Sequence, residues 1–138
     1  MGRLLTLRGV VPEQRRERIF FFDSNIQNRG WKIKDVRCMN TTIGRADVDA
    51  VLHTSDRTIT SLDWDRNTVV ACMKYLTGTA TNQSLIDYGH VIVGNLYLSN
   101  LDSSYDVAYL ILLEEVDISS SENIMYQLKE NAQNSAND

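Results

Sequence analysis

From Arg3 to Asp117 the apolar residues recur at every second position or in short unbroken runs, and almost nowhere at the spacing of an amphipathic helix. Period-two patterning belongs to strands with one buried face. A parallel sheet needs long crossover connections, usually helical, and no helical stretch separates these runs. The chain is therefore expected to fold as an antiparallel β-sandwich or a jelly-roll-like domain.

The first run, Arg3 to Val11, stops at Pro12, the only proline. Glu13 to Arg18 is a charged connector, and Ile19-Phe20-Phe21-Phe22 is an aromatic strand cut off by Asp23-Ser24-Asn25. After Gly30, Trp31 and Ile33 alternate with Lys32 and Lys34, and then the phase slips, so that Val36 and Cys38 continue one residue out of step. A single extra residue of this kind is what a β-bulge inserts. Further strands are expected over Asp47 to Thr54, Thr68 to Leu76, His90 to Ser99 and Asp106 to Asp117, with Thr77 to Gln83 as a long loop. The short loop between the last two predicts a hairpin.

Beyond Asp117 the pattern changes. Ser119 and Glu122 have the spacing of a capping box, and Ile124, Met125, Leu128 and Ala132 fall on one helical face. A short C-terminal α-helix is expected near 120–132, docked by Ile124 and Leu128. Residues 1–132 then form a single β-rich domain, and 133–138 form a flexible tail lacking an apolar anchor after Ala136.

At 138 residues, with 43% hydrophobic and 23% charged content, the chain has the material for one cored domain. No apolar run is long enough to span a bilayer. The opening Met1-Gly2-Arg3-Leu4-Leu5-Thr6 lacks a secretory pattern and fits the loose myristoylation pattern M-G-x-x-x-[ST], but it is read as the approach to a first strand. Cys38 and Cys72 are too few and too far apart for a disulfide framework or a metal site, and are read as small hydrophobes.

The net charge of −4 is unevenly spread. Residues 1–37 carry nine Lys/Arg against four Asp/Glu, and residues 38–138 carry five against fourteen. Such polarity either gives head-to-tail contacts between copies or is neutralised within one fold.

Signs of chemistry are sparse. The glycines are isolated, so no phosphate loop exists, and neither His53 nor His90 lies in a nucleophile motif. Asp63-Trp64-Asp65-Arg66-Asn67 opens like a calcium loop, but Thr68 stands where glycine is needed and Lys74 where glutamate is needed. Glu114 and Glu115 are a charged strand end. No catalytic, cofactor-binding or metal-ligating residue is expected. Arg15, Arg16 and Arg18 are interrupted by Glu13 and Glu17 in an otherwise acidic chain, which favours a contact loop over a nucleic-acid site. Trp31 alternates with Ile33 as a core residue does, whereas Trp64 between two aspartates is expected at the surface. The candidate interface residues are therefore Arg15, Arg16, Arg18, Trp64, Ile124 and Leu128.

Taken whole, the run from His90 to Leu98, the run from Ala108 to Glu114, Gly30-Trp31-Lys32-Ile33 and the Ser-rich capped helix resemble the small structural proteins of bacteriophages. That resemblance assigns no role to any single residue. It implies a non-enzymatic virion component of the minor capsid, decoration or vertex type. Such a protein would be made in the host cytoplasm, self-associate and dock on other virion proteins, without a membrane partner. The charge split, which gives each copy a basic and an acidic surface, favours a closed homo-oligomer, a trimer or pentamer before a dimer, and the acidic balance disfavours a nucleic-acid partner. The alternative from another class is a carbohydrate-binding β-sandwich module using Trp64 and Trp31.

Overall fold

The computed structural model describes residues 3–20, 29–41, 47–55, 69–102 and 105–118. They form eight strands: β1 (Leu4–Val11), β2 (Arg16–Phe20), β3 (Arg29–Asn40), β4 (Val48–His53), β5 (Val69–Leu76), β6 (Thr81–Ile86), β7 (Leu96–Asn100) and β8 (Val107–Asp117). They make two antiparallel sheets, one ordered β1-β8-β3 and the other β2-β7-β4-β5-β6.

The two sheets share one core. Ile33, Val36 and Cys38 of β3 and Ile111 and Leu113 of β8 meet Ala50 and Leu52 of β4, Met73 of β5 and Leu96 and Leu98 of β7. The alternation in sequence is what permits this, because successive side chains on a strand point to opposite faces. In β1 it is unbroken: Leu5, Leu7 and Val11 turn inward, while Leu4, Thr6, Arg8 and Val10 are exposed.

In β3 the pairing with β8 shifts between Ile33 and Asp35, leaving Lys34 as the extra residue. This is the bulge that the phase slip announces. It keeps Trp31 and Ile33 on the core side and brings Val36 and Cys38 onto that side as well. At the start of β3, Gly30 lies beneath the buried segment Val91–Val93, where a Cβ would stand 2.5 Å from Val91 Cγ1. There Trp31 and Ile92 exchange backbone hydrogen bonds of 3.0 and 2.7 Å. Trp31 is a core residue, edge-on to Phe20 with ring centroids 5.5 Å apart.

Three sequence expectations are corrected. The charged connector is shorter than its composition suggests, since Arg16-Glu17-Arg18 already pairs with β7. Within the expected loop 77–83, only Thr77 to Ala80 form a turn, and Thr81 opens β6, which pairs with β5. Finally, the stretches 90–99 and 106–117 do not form a hairpin. The ladder begins only at Leu96, and β7 lies in one sheet while β8 lies in the other.

The crossing between sheets is held by Asn100, which is buried. Its Nδ2 donates to the Val11 carbonyl (3.1 Å) and the Tyr105 carbonyl (2.9 Å), and its Oδ1 accepts from the Asp102 N–H (2.8 Å). Its own N–H donates to the Arg15 carbonyl at 2.9 Å. The expected helix near 120–132 lies outside the described residues.

Candidate functional site

Two places combine unusual chemistry with a defined position: a buried polar cluster on the five-stranded sheet and an apolar outer face on the three-stranded one. The first arises because β7 buries both faces. Leu96 and Leu98 enter the shared core, and Tyr97 and Ser99 point the other way, towards His53 of β4.

His53 is fully buried, with Nδ1 2.8 Å from the Ser55 carbonyl and Nε2 2.8 Å from Ser99 Oγ. A carbonyl only accepts, so the proton is assigned to Nδ1, and Nε2 accepts from the Ser99 hydroxyl. The imidazole stacks on Tyr97 with centroids 5.9 Å apart, and the Arg16 guanidinium lies 5.5 Å from the Tyr97 ring centroid. A serine hydroxyl on an imidazole whose other nitrogen is fixed is the arrangement that activates a nucleophile. Here Ser99 and His53 are both buried, and their bond ties β4 to β7. Sequence reading missed Ser99, which stands 46 residues from His53.

The other face belongs to the three-stranded sheet. The register sets Arg8 of β1 and Arg37 of β3 on either side of Leu110, and Val10 and Met39 on either side of Ala108. Leu4, Val10 and Leu110 are 59%, 48% and 42% exposed. Val10 and Leu110 are diagonal neighbours beside Arg8 and Arg37, whereas Leu4 lies six residues away along β1, opposite Glu114; Arg37 is paired to Asp35 at 3.2 Å.

The residues singled out from sequence are only partly brought together. Arg16 and Arg18 share one face of β2, beside Tyr97, and Arg15 sits in the preceding turn with an exposed side chain. Trp64, Ile124 and Leu128 lie outside the described residues. Glu114 and Glu115, being consecutive on a strand, point to opposite faces and cannot act as a carboxylate pair. Glu115 is bridged by Arg3 at 3.2 Å and Arg29 at 3.4 Å. Basic N-terminal and acidic C-terminal segments thus neutralise each other in part within one fold. Lys74, which ends the calcium-like stretch, lies 3.7 Å from Asp49.

His90 follows the Tyr88-Gly89 turn, and its N–H donates to the Asp87 carbonyl at 3.2 Å. Cys38 and Cys72 are free thiols, pushed up to about 12 and about 11. Burial is the main cause for both, and for Cys38 the nearby Asp49 adds to it. Among the described residues no group of His, Cys, Asp or Glu is placed to hold a metal ion.

No family model matches the chain, and no curated protein matches it either.

Proposed function

We propose that this protein is a non-enzymatic structural component of a bacteriophage virion, which self-associates and docks through the outer face of its three-stranded sheet. The single observation that carries the reading is that Leu4, Val10 and Leu110 are all left in water on that face. Covering a leucine is worth about 1.5–3 kcal/mol, so apolar side chains exposed on one sheet face favour a protein partner.

The order of strand pairing supports it. First strand with last, second with seventh and fourth with fifth is the nested pairing of a jelly roll. The remaining pair, β3 and β6, is joined by the Cys38 N–H donating to Asn82 Oδ1 at 2.9 Å. Jelly rolls recur in capsid and lectin domains, and fold alone does not choose between them. The exposed apolar face and the phage-like texture of the sequence favour the capsid side, with residence in the virion after synthesis in the host cytoplasm.

Heterologous contacts between unlike charged surfaces would close a trimer or pentamer. The internal pairing of Arg3 and Arg29 with Glu115 weakens that drive, so two-fold contacts enter on equal terms. The test is light scattering from micromolar to millimolar concentration. Wild-type protein is expected to self-associate, and Leu110→Lys, which sets a charge among the exposed apolar side chains, is expected to shift it towards monomer. A wild type that stays monomeric throughout, or saturable glycan binding dependent on Trp64, overturns the reading.

A further inference from the structure

We infer that the free edge of β1 is the contact through which a second copy of this chain is added, strand against strand, so that two three-stranded sheets become one six-stranded sheet. The inference rests on the self-association proposed above and names its surface.

Sheets leave unpaired N–H and C=O groups along their edges, and proteins usually blunt them with charge, bulges, short strands or a covering segment. Among the described strands, three of the four edges carry such devices. In β3 the bulge at Lys34 breaks the ladder. Its outward N–H groups are taken within the chain: Trp31 by the Ile92 carbonyl (3.0 Å), Val36 by Asp35 Oδ1 (3.0 Å) and Cys38 by Asn82 Oδ1 (2.9 Å). In β2 there are five residues, three of them charged, with a register break after Arg18. In β6 there are six residues, and the first four are polar.

β1 carries none of these. It has eight residues, one charge, no proline and no register break. Among the described residues no partner lies along its outer side.

The orientation of its backbone follows from one bond. The Glu115 N–H donates to the Arg3 carbonyl at 2.8 Å, so Arg3 faces β8. In an antiparallel ladder this alternates. Leu5, Leu7 and Gly9 therefore also direct their N–H and C=O to β8, and Leu4, Thr6, Arg8 and Val10 direct theirs outward.

An antiparallel second copy must pair outward residues with outward residues, and only a few registers do so. One sets Arg8 against Arg8 of the second copy, which like charges disfavour. Another sets Leu4 against Arg8 and leaves Val10 without an apolar partner. The third sets Leu4 against Val10 and Thr6 against Arg8, twice each by symmetry, with Leu7 on the two-fold axis. It joins the two most exposed apolar side chains of β1 and opposes no like charges. The strip is roughly 27 Å long and one strand wide, well below the ~1,200 Å² that stable interfaces bury. The contact is therefore weak, with dissociation between micromolar and millimolar.

Thr6 supplies the test. It is exposed and makes no core contact, so charge placed there leaves the fold intact, and it would face Arg8 of the second copy at two equivalent points. Sedimentation equilibrium on the full chain is expected to show Thr6→Lys weakening dimerisation and Thr6→Glu strengthening it, each by roughly two- to thirty-fold. The gain from Thr6→Glu should shrink in high salt. Equal thermal melting of all three proteins at low concentration controls for folding. If the wild type associates but neither charge shifts it, or both shift it the same way, edge pairing is wrong and self-association stands. If the wild type remains monomeric to about 1 mM, both readings fail.

Discussion

Replacing Asn100 by its isostere aspartate should damage this protein more than truncating it to alanine. The amide makes three side-chain hydrogen bonds where the chain crosses between sheets, two donated to carbonyls and one accepted from an N–H. Each neutral bond contributes about 1 kcal/mol net, so Asn100→Ala should cost about 3 kcal/mol, or roughly 10 °C in melting temperature for a domain of this size. In Asn100→Asp the shape is kept and the Asp102 N–H is still satisfied. A buried carboxylate oxygen, however, now faces the Val11 and Tyr105 carbonyls, and an uncompensated buried charge costs about 3–5 kcal/mol or more. Urea unfolding at neutral pH should therefore rank wild type above Asn100→Ala, and Asn100→Ala above Asn100→Asp. Lowering the pH should narrow the gap between the variants, because a protonated carboxyl donates to one of the two carbonyls. An Asn100→Asp protein as stable as wild type at pH 7 would show that the corner does not depend on the amide as a donor.

Three further outcomes are expected. Cys38 and Cys72, with thiols pushed up to about 12 and about 11, should react slowly with thiol reagents in the folded state and rapidly after unfolding. Above about pH 9 the unfolded thiols ionise while the folded ones do not, so stability should fall as pH rises through the alkaline range, and Cys38→Ala should flatten that fall. Ala80 holds a φ of 50° in the β5–β6 turn. Glycine relieves about 1–2 kcal/mol of strain there and returns part of it as chain entropy, so Ala80→Gly should raise the melting temperature by a degree or more. Truncation after Ser119 tests the apolar stripe read in the sequence beyond it, where Ile124 and Leu128 should each be worth about 2–5 kcal/mol if docked. It should lower the melting temperature if the stripe packs on its own domain, or release folded monomers if it packs on a neighbour, and a protein changed in neither respect would refute docking.

What was legible in the sequence was whatever depended on burial. The bulge in β3 shows because Trp31 and Ile33 fall out of step with Val36 and Cys38, and core membership of Trp31 follows from the same alternation. β6 was not legible: its side chains are mostly polar and exposed, and pairing with β5 rather than burial makes it a strand. The segment Val91–Val93 misled in the opposite way. It is as apolar as a strand and buried like one, yet it makes a single bridge to Trp31 before the ladder starts at Leu96. Which sheet a strand joins is not written in its own residues, so β7 and β8 look like neighbours and are not. The Ser99–His53 bond and the exposed apolar face both depend on that choice, and both were invisible before it.

The position of β8 between β1 and β3 also fixes an order of events during synthesis. Leu4 pairs with Glu114, and Val11 with Val107, so β1 has no ladder partner until β8 has emerged from the ribosome. At about 5–20 residues per second, the ~100 residues between them take roughly 5–20 s to translate. For that interval Leu5, Leu7 and the outward-facing Leu4 and Val10 share one unpaired segment, and contacts this distant in sequence form slowly even afterwards. The nascent chain is thus open at β1 to other nascent chains, and its yield of folded protein should depend on expression rate and on chaperones that bind short apolar segments.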